Sequence, residues 1–440
     1  MKFHAIVLAV ASTFTAAHAE NWPQWRGPTL NGTTTEKGLP TQFSTTEGVK
    51  WALDLPGISG ATPIIWGDKV FVMSPDAQKD QWLICVGRVD GKVLWKQKLA
   101  GGMLDKGRGN STSPSPVTDG KTVWALVGTG QLAAFSMDGK PIWQRELGKD
   151  YGAFNIMWVY GSSPLLFAGK LYVQVLQRTP ADGGYPGVAD KGDRESYLLA
   201  VDPATGKTLW KHVRPTDAKL ESMESYATPI PHTGGGKSQI LIGGGDVLTG
   251  HDPETGAELW RGGGINPKRG EWMRLVPSPV SAGEVAFIAG PKQSPAIAFK
   301  TDGKGDVSES GKAWAFDEKR TPDCATPAYL DGKLYVFDGD SHTMTVLDAK
   351  TGAKVWQKTL EGLDKSKGKE VFRASPTVAD GKIYNLGERG TVVIQNAADG
   401  AQLAVIPMGS GGPEGVRSSI AASGGNLFIR TTDKLYCVGK

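Results

Sequence analysis

Thr205-Gly206-Lys207-Thr208-Leu209-Trp210 reads as a tight turn running into a strand, and the 440-residue chain returns to that phrase repeatedly. The same order appears at Asp90-Gly91-Lys92-Val93-Leu94-Trp95, Asp138-Gly139-Lys140-Pro141-Ile142-Trp143, Thr255-Gly256-Ala257-Glu258-Leu259-Trp260 and Thr351-Gly352-Ala353-Lys354-Val355-Trp356, always with Trp four residues after Gly. Asp-Gly and Thr-Gly pairs supply the positive-φ positions that a hairpin needs. The register loosens at Gly311 to Trp314 and Gly48 to Trp51, and Ala404 stands where one further Trp would fall.

Upstream of each turn a Ser or Thr before Pro opens a short apolar strand: Thr62-Pro63, Ser115-Pro116, Ser163-Pro164, Thr228-Pro229, Ser278-Pro279, Thr326-Pro327 and Ser375-Pro376, with Ser418-Ser419 as a degenerate eighth. Each unit predicts four short antiparallel strands, one propeller blade, and self-similarity at this period predicts a closed array. The expected fold is all-β, an eight-bladed β-propeller. The last unit, residues 416–440, supplies three strands, while an unpartnered Trp strand at 49–53 precedes the first complete unit. Pairing the two closes the ring and removes sheet edges that invite aggregation. The expected layout is a leader at 1–19, a segment at 20–47 anchored on the ring by Trp22 and Trp25, and the propeller at 48–440.

These repeats, with Trp22-Pro23-Gln24-Trp25-Arg26-Gly27-Pro28 near the start and Leu435-Tyr436-Cys437 near the end, resemble the pyrroloquinoline-quinone-like (PQQ-like) repeat propellers. That family includes BamB-like exported proteins and eight-bladed quinoprotein alcohol dehydrogenases. The resemblance implies the ring, and it implies either binding or quinone-dependent oxidation, since one fold hosts many functions. The vicinal Cys-Cys pair of the quinoprotein alcohol dehydrogenases has no counterpart here.

Residues 2–19 carry one positive charge, an apolar run and Ala17-His18-Ala19, the pattern of a secretory signal peptide. No Cys follows the run, so a lipid anchor is not expected, and no later run approaches a membrane span. The expected location is periplasmic or secreted. A net charge of +4 with mixed signs does not call for nucleic acid, which normally needs a clustered basic stripe. Cys85, Cys324 and Cys437 are an odd set, and Cys85 and Cys437 sit in apolar strands as small hydrophobes. Insertions fall at 178–195, 301–310 and 361–370. A monomer is expected, because a ring without free edges needs no second copy to fold.

Consecutive strands run antiparallel, so the repetitive Gly turns share one face and the variable loops and blade crossovers share the other, where function is expected. Residues just before each innermost strand should ring the channel mouth there: Arg108 and Asn110, Trp158 and Tyr160, Glu224 and Tyr226, Trp272 and Arg274, then Asp323, Arg373 and Arg417. Such a polar and aromatic funnel is the default ligand site of a ring. Arginine forks suit carboxylates and indoles stack flat rings, so a quinone, an acidic glycan and an acidic peptide all fit, as does mutual pairing of these charges to fasten the crossovers. The recurrent Trp95, Trp143, Trp210, Trp260, Trp314 and Trp356 are read as packing between blades.

Catalytic signatures are sparse. The Gly-Lys-Ser/Thr triplets at Gly120, Gly206 and Gly236 lack the earlier Gly of a phosphate loop, and no Gly-x-Ser-x-Gly or paired His or Cys spacing occurs. Asp302-Gly303-Lys304-Gly305-Asp306 offers too few oxygens for calcium and is expected to be a solvated loop; Asp338-Gly339-Asp340 is read alike. The leading expectation is a non-catalytic binding or scaffolding module, whose partner is an envelope protein or a small anionic or aromatic ligand. The alternative is a quinoprotein oxidoreductase using PQQ with calcium, with Arg108, Arg274, Arg373 or Arg417 holding the cofactor and Glu224 or Asp323 as base. A weaker third is glycan binding through Trp158, Tyr160 and Trp272.

Overall fold

The glycine turns do what their sequence requires, and the units they join fold into blades. The computed structural model describes residues 20–181, 184–363, 370–409 and 415–440. The leader read at 1–19 and most of the 361–370 insertion lie outside the described residues. The protein builds eight radial sheets in sequence order around one axis, each antiparallel between neighbouring strands of a repeat, which is an eight-bladed β-propeller with almost no helix. Blade 3 is typical: Leu165–Phe167 innermost, then Lys170–Val175, Tyr197–Val201 and Thr208–Val213 at the rim. Blade 8 is composite. Val49–Asp54 adds to Ala421–Ser423, Asn426–Arg430 and Lys434–Val438, pairing Trp51 with Cys437 and Leu53 with Leu435. The first strand thus closes the ring against the last, leaving no open end to the array.

The Gly-to-Trp spacing has a packing cause. The indoles of Trp51, Trp95, Trp143, Trp210, Trp314 and Trp356 lie on Gly91, Gly139, Gly206, Gly256, Gly352 and Gly400 of the following blade. A Cβ on any of these glycines would sit 2.5 to 2.7 Å from the indole, and each has φ between +70° and +80°, so glycine is required twice over. The Nε1 groups of Trp51, Trp95, Trp143 and Trp314 also donate across the gap to backbone carbonyls at 2.7 to 3.0 Å. The pattern breaks between blades 4 and 5. Trp260 turns inward and donates to Gln239 at 2.7 Å instead. There the insertion expected to be a solvated loop pairs Gly305–Asp306 in parallel with Trp260 and Arg261, adding a fifth strand to blade 4. The loop reading of 302–306 is corrected accordingly: an unfilled blade edge captured it.

The Ser/Thr-Pro element also has a cause that alternation alone does not reveal. The Thr62 amide donates to the Ser115 hydroxyl at 2.9 Å, the Ser115 amide to Ser163, Ser163 to Thr228, Thr228 to Ser278, Ser278 to Thr326 and Thr326 to Ser375. Ser375 donates to Ser419 at 3.3 Å, and Ser419 returns to Thr62 at 3.1 Å. Eight hydrogen bonds therefore circle the axis without interruption, each worth about 1 kcal/mol net. Ser419, the second residue of the degenerate pair, completes the circle.

The segment after residue 20 crosses the turn face of the ring. Trp22 pairs with Ile65 of blade 1, Pro23 accepts from Thr118 of blade 2, and Asn31 and Gly32 accept from Tyr329 and Val378 of blades 6 and 7. Arg26 is buried beneath the axis, where its guanidinium donates to the carbonyls of Pro376 at 2.8 Å and Pro327 at 3.2 Å. Without a carboxylate beside it, burial pushes Arg26 down to about 9. The channel is consequently stoppered at this end.

Candidate functional site

A cup of about 550 Å³ remains at the loop face, built in layers from the residues that lead into the innermost strands. Its floor carries Trp25 of the stopper and the hydroxyls of Ser115, Ser163, Thr228, Thr326, Ser375 and Ser419 from the hydrogen-bonded circle. The next layer, two residues upstream in each blade, is lopsided. Blades 1 to 3 contribute Gly60, Ser113 and Gly161, while blades 4 to 8 contribute Tyr226, Val276, Cys324, Arg373 and Arg417. The open volume therefore lies over the small residues and faces the guanidiniums.

Of the residues expected at the mouth, Arg108, Trp158, Tyr226, Arg274, Asp323, Arg373 and Arg417 line this cup. Trp272 lies outside it but is half exposed at the rim, where its carbonyl accepts from the cup residue Lys292. Asn110 anchors a crossover, donating to the Ile58 carbonyl at 3.0 Å. Two expectations are corrected. Tyr160 is buried in the core, its ring 4.6 Å from that of Phe154 and its hydroxyl donating to the Gln174 carbonyl. Glu224 is also fully buried, behind the wall, where its Oε2 accepts from the Met157 amide at 2.9 Å and the Tyr226 hydroxyl at 3.2 Å. Both fail because the crossovers are not regular strands: Val159, with φ of +68°, separates Tyr160 from the wall residue Trp158, and Glu224 ends the short helical turn Leu220–Met223 before Tyr226, so a residue two places from the wall does not share its side.

The guanidiniums are largely engaged. Arg274 makes a two-pronged contact with Asp323 at 2.8 and 3.0 Å, and Arg373 does the same with Asp340 at 2.8 Å twice. Arg417 Nε meets Glu388 at 3.1 Å, and Arg108 stands 3.8 Å from the same carboxylate. Hydrogen bonding and charge from Asp323 hold Arg274 protonated against its burial, and the Arg274 and Arg373 guanidiniums hold Asp323 below the usual carboxylate range. The Trp158 indole is fixed by its Nε1, which donates to Glu221 at 2.8 Å, and by its amide, which donates to Tyr226 at 3.0 Å.

Sequence reasoning missed Glu221, Lys292, Asp340 and Glu388. All but Glu221 sit in loops between second and third strands, which share the mouth with the crossovers; the three carboxylates pair with the crossover arginines Arg274, Arg373 and Arg417, and Lys292 pairs with Glu221. The signal available was a charged residue at matching loop positions. Asp338-Gly339-Asp340, read as a solvated turn, holds one of them: Asp338 is buried and Asp340 grips Arg373.

Among the described residues no group of three or more His, Cys, Asp or Glu side chains converges to hold a metal ion. No helix among them is long and apolar enough to cross a membrane.

A family model described as outer membrane protein assembly factor BamB matches residues 33–179, 79–310 and 252–440. The outer membrane protein assembly factor BamB of Moranella endobia (strain PCIT) is 25% identical over 185 residues, covering 40% of this chain and 39% of that relative. The match thus spans about two fifths of the curated relative. In three dimensions the chain is similar to BamB from Moraxella catarrhalis, with a TM-score of 0.59 at 14% identity over 89% of this chain and 97% of that one. It is also similar to quinohemoprotein alcohol dehydrogenase from Comamonas testosteroni, with a TM-score of 0.64 at 13% identity over 96% and 81% respectively. At such identities the two solved structures establish shared architecture alone.

Proposed function

This chain belongs to the BamB family of PQQ-like repeat propellers, and from that premise we propose that it is an exported, non-catalytic module that docks an envelope protein on the loop face of its ring. The observation that carries this reading is the pair of large indoles left in solvent there: Trp158 is 38% exposed and Trp272 51% exposed. No other tryptophan among the described residues is exposed to this degree. Rigid, half-exposed aromatic side chains beside a pocket are the usual energetic centre of a protein interface. Their setting favours binding over chemistry, since paired charges fix the crossovers that carry them.

Quinone oxidation fits these residues poorly. A quinone bearing several carboxylates needs open guanidinium forks, and those of Arg274 and Arg373 are filled by Asp323 and Asp340. The base it needs is equally hard to supply. Asp323 is held in its ionised form by two arginines and is a weak proton acceptor, while Glu224 does not reach the cup. The test titrates the purified protein with pyrroloquinoline quinone and calcium while reading tryptophan fluorescence and alcohol-dependent dye reduction. Docking without catalysis predicts no dye reduction. Turnover that is lost on Asp323→Asn would overturn the proposal.

A further inference from the structure

Four arginines reach the cup, and among the described residues two keep a buried N–H without a partner, Arg373 at Nε and Arg417 at Nη2; only in Arg417 is the open group at the terminal fork. Arg274 and Arg373 each meet a carboxylate with two prongs. Arg417 uses Nε for Glu388 and Nη1 for the Arg108 carbonyl at 2.7 Å, while its buried Nη2 has no partner among the described residues. Glu388 must also answer Arg108, so two guanidiniums share one carboxylate and this side of the cup carries a surplus positive charge. The electrostatics agree. Burial, with Arg108 adding to it, outweighs Glu388 and lowers Arg417 from the ordinary arginine value, whereas Arg274 and Arg373 are raised by their partners.

The space beside Arg417 suits a visitor. Gly60 forms the adjoining wall, so close that a Cβ there would lie 3.8 Å from that of Arg417. The floor hydroxyls of Ser375 and Ser419 accept backbone amides within the circle, which leaves each O–H free to donate upward. One surplus charge with a few neutral donors matches a monoanion, and a dianion such as phosphate would remain half neutralised.

We propose that the cup takes one carboxylate, delivered by the docked protein segment, onto Arg417 Nη2 and the floor hydroxyls beneath it. This deepens the docking reading and rests on it. The carboxylate has two sources, the C-terminus of a polypeptide or an acidic side group, and the test separates them.

The full-length exported protein is titrated with N-acetyl-phenylalanine, its carboxamide, N-acetyl-glutamate α-amide and inorganic phosphate, reading the fluorescence of Trp25 and Trp158 in the cup. The expected result is about tenfold tighter binding of at least one free acid than of the carboxamide, the size of one charge-assisted hydrogen bond. That preference should vanish in Arg417→Gln and persist in part in Arg417→Lys. Stronger binding by N-acetyl-phenylalanine assigns the site to a C-terminus, and stronger binding by the glutamate derivative assigns it to a side group. Should Arg417→Gln lose its fold, Gly60→Val fills the wall without removing the charge and should abolish acid binding. Equal binding of acid and amide, an unchanged preference in Arg417→Gln, or phosphate binding as well as either acid would overturn the proposal. If acid and amide bind alike while Trp158→Ala and Trp272→Ala still abolish partner contact at the rim, the carboxylate site fails and docking stands; acid preference without any rim contact means the reverse.

Discussion

Replacing Glu224 by Gln should flatten part of the pH dependence of stability, in a direction the structure fixes. Glu224 is closed off from solvent, and that burial pushes its carboxyl from 4.5 up to about 7, against the Met157 amide and the Tyr185 and Tyr226 hydroxyls that pull it down; the nearby Glu221 charge adds to the rise. Between pH 4.5 and 7 the unfolded state has released a proton that the folded state keeps. Folding stability from this group must therefore fall as pH rises through that window, by about 1.4 kcal/mol per pH unit and about 3 kcal/mol in all, and then level off. Two buried histidines work the other way. Burial holds His232 and His251 down at about 4, so both cost stability as pH falls below 6.5. Wild type and variant share that background, so the difference between wild type and Glu224→Gln isolates the carboxyl. Urea unfolding followed by tryptophan fluorescence from pH 4.5 to 8 should show the wild type losing about 3 kcal/mol relative to the variant. Parallel curves would refute the reasoning, because they would mean that Glu224 ionises as freely in the fold as outside it.

Other consequences follow from the same geometry. Gly206→Ala forces a Cβ to within 2.6 Å of the Trp143 ring, whereas Gly169→Ala has nearly the same φ and nothing within 4 Å; the first should cost about 2 to 3 kcal/mol and the second about 1, and equal losses in denaturant unfolding would remove the indole-on-glycine account. Arg274→Ala strands the partly buried Asp323 and should cost at least about 2 kcal/mol at neutral pH, with the deficit shrinking as pH falls through the depressed Asp323 range; an unchanged thermal midpoint would show that the pair does not fasten the crossovers.

The ring was legible because its two punctuation marks recur at fixed spacing, and each mark has one physical job. Gly206 and its equivalents supply a positive φ and bare backbone for an indole, while Thr62, Ser115 and the rest supply a hydroxyl to the neighbouring amide. Closure by Val49–Asp54 was legible too, since a lone strand at one end and a missing strand at the other require each other. What the repeats could not show is where they stop repeating. Trp260 looks like its fellows in sequence, yet the corresponding glycine of blade 5, Gly311, is packed against Val307 of the longer insertion instead of an indole, and that insertion supplies an extra strand. At the mouth, position before an innermost strand found the arginines, but irregular crossover backbone, with a positive φ at Val159 and a helical turn ending at Glu224, turned Tyr160 and Glu224 into the interior. Asp323, the partner of Arg274, was found by the same position before a strand, but Asp340 and Glu388 come from other loops, so no linear spacing links Arg373 to Asp340 or Arg417 to Glu388.

The central claim, that the half-exposed indoles of the loop face carry the docking surface, is tested most directly by photo-crosslinking in intact cells. A photoreactive phenylalanine analogue is placed at Trp272 on the loop-face rim and, as control, at Leu209 on an outer strand, which is 47% exposed. A discrete adduct with an envelope protein from position 272, lost on Trp158→Ala and not formed from position 209, is the predicted result. Adducts from 209 alone, or equal labelling from both positions, would contradict it.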